Sequence, residues 1–319
     1  MNRIETAMKT IDKIIVTGCC MLVIAVMLSC ASSSAPAQQQ FETPDEAAQT
    51  LATAVRAGDL NGILAVLGPD GRDIATSGDK VEDQRVRNAF LEAYDRKHGI
   101  VFTEDGKVML TVGPVDWPFP IPLVRRKDHW VFDAAAGRDE ILARRIGRNE
   151  LDAIQACLAY VDAQNEYAER NPDRNGGYAR RILSSPGKRD GLYWKTAASE
   201  ELSPLGEAVV LASAEGYRFG QGRIPYHGYY FTILTRQGRD APGGAVNYVV
   251  RGKMIGGFAL VAYPAEYGNS GVMTFIVSYT GIVYQKDLGP RTAQIAGQMD
   301  SFNPDRSWQK IDTLALPAQ

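Results

Sequence analysis

The sequence predicts an α+β protein built as two small domains behind an export segment. Three observations lead there. Apolar residues recur at helical spacing between Pro44 and His98, then switch to period two in "GIVFTEDGKVMLTVG". Leu151, Ile154, Leu158, Val161 and Asn165 fall on one helical stripe. Downstream, "YHGYYFTILTR", "AVNYVVRGK", "GFALVAYPAEY", "GVMTFIVS" and "GIVYQKDL" are five β-rich runs separated by turn residues. The expected divisions are 1–37 for signal and tether, 38–146 for the first domain and 147–319 for the second.

A chain of 319 residues with 45% apolar and 23% charged residues is globular in composition and long enough for two cores. Its formal net charge of −2 offers no concentrated basic face, so nucleic acid is not expected as a partner.

At the start, Arg3, Lys9 and Lys13 precede an apolar run from Ile14 to Leu28, followed by small and polar residues, which is the layout of a secretory signal. The run is shorter than the roughly 20 residues a spanning helix needs. Two exits compete. "MLSC" resembles a lipobox, which would lipidate Cys30 and tether the chain to a membrane, while "APA", ending at Ala37, has the small-x-small form of ordinary cleavage. An uncleaved anchor is the third alternative. Ala31 stands where inner-membrane lipoproteins carry a retention Asp, which directs a lipidated chain to the outer membrane. Each route places the fold in the bacterial envelope, outside the cytoplasm. Cys19 and Cys20 precede the cut and Cys30 lies at it, so Cys157 alone remains in the body and reads as a small buried hydrophobe.

The elements follow in order. Thr43, Pro44 and Glu46 form a capping box that starts a helix ending at Gly58. "NGILAVLG" is a short second helix stopped by Gly68 and Pro69, and "VEDQRVRNAFLEAYDRKHG" a third with Val86, Phe90 and Tyr94 on one face. Asp105-Gly106 marks a hairpin, the prolines of "WPFPIPL" an edge approach, and "DHWVFD" a closing strand. The long amphipathic helix is expected to start near Asn149, after a boundary in "AAAGRDEILARRIGR". A connecting layer with a Ser-Pro helix start at 203–204 leads to the five β runs, of which "PAEYGNS" is a long turn.

Chemical motifs are sparse. His98, His129 and His227 are too scattered for a metal or triad spacing, and "GNSGV", "SSPGKRDG" and "FGQGRIPYHG" each break the nucleophile-elbow, phosphate-loop and dinucleotide patterns. No cofactor is expected. His98 reads as a helix C-cap and His129 as a solvent-facing strand residue. Tyr226, His227 and Tyr229 gather aromatic faces with polar tips, suited to recognition, although strand alternation accounts for the same pattern. Asn171, Asp173 and Asn175 have the alternating oxygens of a calcium loop, but Ile182 stands where the bidentate Glu belongs, so a helix-ending turn is the reading and calcium the alternative. "KRDGLYW" and "VRRKDHW" read as solvated hairpins with an anchored Trp, the alternative being contact with an anionic envelope partner such as peptidoglycan or a lipid head group.

The helix-then-curved-sheet order and the "AVRAGDL" line resemble cystatin-like and nuclear-transport-factor-like domains, which wrap a helix in a bent sheet and sometimes hold a small ligand in the cone. The line "AYPAEYGNSGVMTFIVSYTGIVY" resembles the globular heads of type IV pilins and pseudopilins, a long helix on an antiparallel meander. "RRIGRNELDAIQ" lacks the long apolar run of a pilin helix, so a pilin-like head, not a pilin, is implied. "DWPFPIPL", "HWVFDAAAGRDEILARRIGRNELDAIQACLAYVDAQ", "LSSPGKRDGLYW", "PYHGYYFTILT" and "MIGGFALVAYPAEYGNSGVMTFIV" are similar to a bacterial family catalogued as domain of unknown function 2950, which implies no particular activity.

The functional expectation is a non-enzymatic envelope module that binds a protein partner or joins an assembly. The alternative is a small-ligand binder using the N-terminal cone, with Trp117 on an apolar rim. An enzyme comes third and would need His227 beside an acid and a hydroxyl in a concave pocket. Further binding candidates are Glu266, Tyr267 and Asn269, expected to be exposed in the "PAEYGNS" turn.

Overall fold

The structure is a computed structural model that describes residues 38–103, 107–170, 177–197, 199–218 and 223–313. Cys30 and the Asn171, Asp173 and Asn175 loop lie outside the described residues. The architecture is α+β.

Helix α1 (Pro44–Arg56) is capped by Thr43, whose Oγ1 accepts from the Glu46 N–H, while the Glu46 side chain reaches back one residue further than a capping box, to the Glu42 N–H at 3.1 Å. Its buried face is Ala47, Ala48, Leu51, Ala52 and Val55. Helix α2 (Leu60–Leu67) stops at Gly68, which adopts φ +80°. A 3-10 turn (Pro69–Gly71) and the short α3 (Arg72–Ala75) lead into α4 (Lys80–Arg96), whose N-cap is Asp79. Strands β1 (His98–Phe102), β2 (Val108–Val112), β3 (Trp117–Pro118), β4 (Leu123–Arg126) and β5 (His129–Phe132) form an antiparallel sheet in the order β1-β2-β4-β5, with β3 also paired to β2. His98 pairs with Val112 and Phe102 with Val108, and the expected Asp105-Gly106 turn between these strands lies outside the described residues.

Helix α5 (Ala134–Arg170) corrects the expected helix start: it begins at Ala134, not near Asn149, and includes residues 146 and 147. Its buried stripe is Ala153, Ile154, Cys157, Tyr160, Val161 and Gln164, while Asn165 is exposed. Gln164 is buried because its amide is satisfied, donating to the Ala179 carbonyl and accepting from the Ala179 N–H, each at 2.8 Å.

After α6 (Gly206–Glu215), the expected β runs are β6 (Tyr229–Leu234), β7 (Arg236–Gln237), β8 (Val246–Asn247), β9 (Val249–Val250), β10 (Lys253–Met254), β11 (Ala259–Pro264), β12 (Met273–Ser278) and β13 (Val283–Asp287). α7 (Thr292–Gly297), β14 (Ser301–Phe302) and β15 (Gln309–Lys310) follow. The main sheet is antiparallel in the order β15-β13-β12-β11-β6. All six residues of β11 are buried, because the strand is interior to the sheet and contacts both α5 and α7. Three apolar clusters result. One joins α1, α2 and the first sheet with Ala134 and Ile141, a smaller one joins Ala48 and Ala52 to Tyr94, Leu110 and Val112, and the third joins α5 from Ala153 onward to the main sheet.

Candidate functional site

Between the first two clusters the side chains leave a cavity of about 460 Å³ unfilled. Its inner wall is apolar and buried: Leu51 and Val55 come from α1, Ile63 and Leu67 from α2, and Val112 from β2. Phe90 and Ala93 of α4 continue it, and Trp117, Phe119 and Pro120 form one lip. At the opening, Val86 is 46% exposed and Trp117 39% exposed, both large apolar residues that the fold leaves uncovered.

The opposite lip is cationic. Arg85 and Arg87 from α4, and Arg144, Arg145 and Arg148 from α5, line the cavity, with Glu82 and Asp83 as its carboxylates. The spacing 144, 145 and 148 puts three guanidinium groups on neighbouring positions of one helical surface. Both carboxylates are engaged. Glu82 accepts two bonds from Arg85 at 2.7 Å each and lies 3.3 Å from Arg148, and Asp83 accepts from the Thr76 hydroxyl and from the Ser77 hydroxyl and N–H. Arg87 donates to the Ala75 carbonyl. Arg145 donates to the Asp73 and Ile74 carbonyls at 2.6 and 2.7 Å and to Asn269 Oδ1. Burial lowers the Arg145 pKa from its ordinary value, with the Asp83 charge opposing.

A second polar group surrounds His227. Tyr226 and Tyr229 exchange backbone hydrogen bonds across His227 and Gly228, both left-handed, so the imidazole stands at the tip of a two-residue turn. Nδ1 lies 3.2 Å from Asp152 of α5, and Nε2 lies 3.3 Å from Glu215 of α6. Burial alone would lower the His227 pKa, but the Asp152 hydrogen bond and the Asp152 and Glu215 charges outweigh it and leave the value raised. The neighbouring hydroxyls are not activated. Tyr226 is pushed up to about 12 by burial and by Glu215 and Asp152, and Tyr217 is raised by burial and Asp79. Tyr217 donates to Asp79 at 2.8 Å and accepts from the His227 N–H. The acid and hydroxyls are thus beside His227, yet the residue does not line the cavity.

The remaining expected residues serve joints. Tyr229 is fully buried, its hydroxyl donating to the Met273 carbonyl. Asn269, expected to be exposed, is 8% exposed, because its amide donates to the Thr76 carbonyl and to Glu266 while its oxygen receives Arg145. Glu266 is exposed and Tyr267 half-buried, with its hydroxyl on Asp287. His98 Nδ1 lies 2.9 Å from the Tyr94 carbonyl, the geometry of its cap reading, and His129 pairs with Glu42 at 3.1 Å. Cys157 is fully buried, which pushes its thiol up to about 12. Among the described residues no group of three His, Cys, Asp or Glu could hold a metal, and no helix is long and apolar enough to cross a membrane. The cationic lip was missed by the sequence reading. Its signal is the basic spacing in "RRIGR", visible as one surface only if the helix starts before it.

The fold and cavity define an α+β protein with an apolar pocket beneath arginine side chains. A family model described as "Protein of unknown function (DUF2950)" matches residues 38–311, and the chain belongs to that family. No curated protein and no solved structure matches the chain.

Proposed function

We propose that this protein is a non-enzymatic binding module of the bacterial cell envelope that holds a small ligand in the cavity between α1, α2, α4 and the start of α5. The observation that carries the reading is the cavity itself. It opens to solvent at Val86 and Trp117, and behind that opening the buried side chains of α1, α2 and β2 leave a space of about 460 Å³ unfilled. Its volume lies in the range of small-molecule sites, and its apolar walls with a few polar groups at one lip match their composition. The envelope location rests on the N-terminal layout of basic residues, apolar run and small-residue exits, with lipidation at Cys30 as the tether.

Binding of the neutral fluorophore N-phenyl-1-naphthylamine tests the site. Ala89 lines the cavity from an exposed position on α4, so Ala89→Trp fills the opening without disturbing the buried walls. The full chain is expected to bind the probe saturably, and Ala89→Trp to weaken binding by about tenfold or more, ~1.4 kcal/mol. Equal binding by both chains would remove the cavity as the site.

A further inference from the structure

We propose that the cavity takes a single-chain amphiphile with an anionic head, its tail against the apolar walls and its carboxylate or phosphate at the arginine lip. This deepens the ligand-binding reading and rests on it. The tail requirement comes from the walls, where Leu51, Val55, Ile63, Leu67 and Val112 are buried and offer no hydrogen-bonding side chain. The head requirement comes from charge. Five guanidinium groups face two carboxylates, and both carboxylates are already occupied by Arg85, Arg148, Thr76 and Ser77.

Arg145 sharpens the argument. It is half-buried, and its hydrogen bonds go to three uncharged oxygens, those of Asp73, Ile74 and the Asn269 amide. A cation removed from water gains most from an anion brought close to it. Arg144 stands at the mouth, paired with Glu140 at the surface and 5.9 Å from the centre of the Trp117 ring. Arg144 and Arg148 are both exposed, and a guanidinium fork matches the planar oxygens of a carboxylate or phosphate. A neutral apolar molecule would satisfy the walls and add no anion to the lip, where Arg85 and Arg148 share Glu82 and Arg144 is paired with Glu140. A cationic amphiphile would be repelled.

The arginines also have a purely structural reading, because Arg87 and Arg145 secure the carbonyls at the end of α3. The test therefore leaves those two intact and changes Arg144 and Arg148, whose own side chains are exposed; when Arg148 is replaced, the buried Glu82 keeps its two bonds from Arg85. Dodecanoate, dodecyl phosphate, dodecanol and dodecyltrimethylammonium, each below its micelle concentration, compete for N-phenyl-1-naphthylamine on the full chain. The signal from Ala89→Trp is subtracted so that only cavity binding counts. Dodecanoate or dodecyl phosphate is expected to compete about tenfold more tightly than dodecanol, with the trimethylammonium compound weakest. The tighter of the two anions identifies the head as a fatty carboxylate or a phosphate. Arg144→Gln with Arg148→Gln is expected to abolish the anion preference and leave dodecanol unchanged.

Rising salt supplies a second measurement that needs no variant. It should weaken the anions and spare dodecanol. Equal competition by dodecanoate, dodecyl phosphate and dodecanol, or an anion preference that survives both the double substitution and high salt, would overturn the proposal while leaving the cavity as an apolar site. Loss of the difference between the wild-type chain and Ala89→Trp would instead remove the site itself.

Discussion

Gly228 is required by two constraints that act on one carbon. Its φ is +74°, and a Cβ added there would stand 2.6 Å from Asn149 Nδ2, whose donation to the Ser270 carbonyl helps join α5 to the turn before β12. Gly187 has a similar φ of +72° but open space around the same position. Gly187→Ala is therefore expected to cost the backbone strain alone, about 1–3 kcal/mol, and Gly228→Ala distinctly more. Urea unfolding at unchanged slope reads the difference, and equal losses would show that the close approach carries no energy. Asp79 presents a related case. Oδ1 caps α4 through the Val81 and Glu82 N–H groups, and Oδ2 accepts from the Tyr217 hydroxyl and the Gly228 N–H. Asp79→Ala should cost at least about 1–3 kcal/mol, because it leaves buried donors unpaired as well as removing a cap. The capping half of that role has a local pattern, an Asp just before a helical run. The other half reaches Tyr217, 138 residues away, and no local pattern carries it.

Helix α5 shows the same limit at the level of an element. Its second half was legible, because apolar residues repeat at helical spacing. Its first half contains Gly137 and Gly147, each worth about 1 kcal/mol against helix relative to alanine, so propensity weakens where tertiary contacts hold the helix. The two glycines have opposite reasons for being there. A Cβ on Gly137 would meet the Pro120 carbonyl oxygen at 2.5 Å and Ile121 Cα at 3.0 Å, whereas nothing lies within 4 Å of one on Gly147. Gly147→Ala is expected to stabilise the fold by about 0.5–1 kcal/mol. Gly137→Ala is expected to destabilise it despite the better helix former, because both obstacles are backbone. Thermal melting of the two variants checks the opposite signs, and a shift in the same direction for both would refute the packing argument. Recognising the early start also matters for the site, since Arg144, Arg145 and Arg148 become one surface only on a continuous helix. The strands were more legible: the paired runs 98–102 and 108–112 and the five β runs carry period-two apolar patterns, which local sequence encodes directly.

Across the whole molecule, α5 contributes to two of the three apolar clusters, and polar joints fasten the N-terminal helices to the turns around the main sheet. Asn149 to Ser270 and Asn269 to Thr76 span 121 and 193 residues of sequence, so this level was not legible from local pattern at all. His227 lies in that fastening, between Asp152 on α5 and Glu215 on α6, with Glu82 of α4 adding to the negative field. Its raised pKa makes the fold's stability depend on pH with a definite sign. A folded value above the unfolded value of about 6.5 means that the folded state binds the proton more tightly, so the stabilisation is complete below about pH 6.5 and is lost as pH rises through the folded value. The urea midpoint of the wild-type chain should therefore fall between about pH 6 and pH 9 more steeply than that of His227→Asn. Asparagine tolerates the left-handed φ of +46° at this position, which separates loss of the charge from loss of the turn. His98 and His129 are present in both chains and cancel from the comparison. Parallel profiles would show that the imidazolium between the two carboxylates adds nothing to stability, whereas convergence of the two profiles toward high pH would locate the loss in the protonated form.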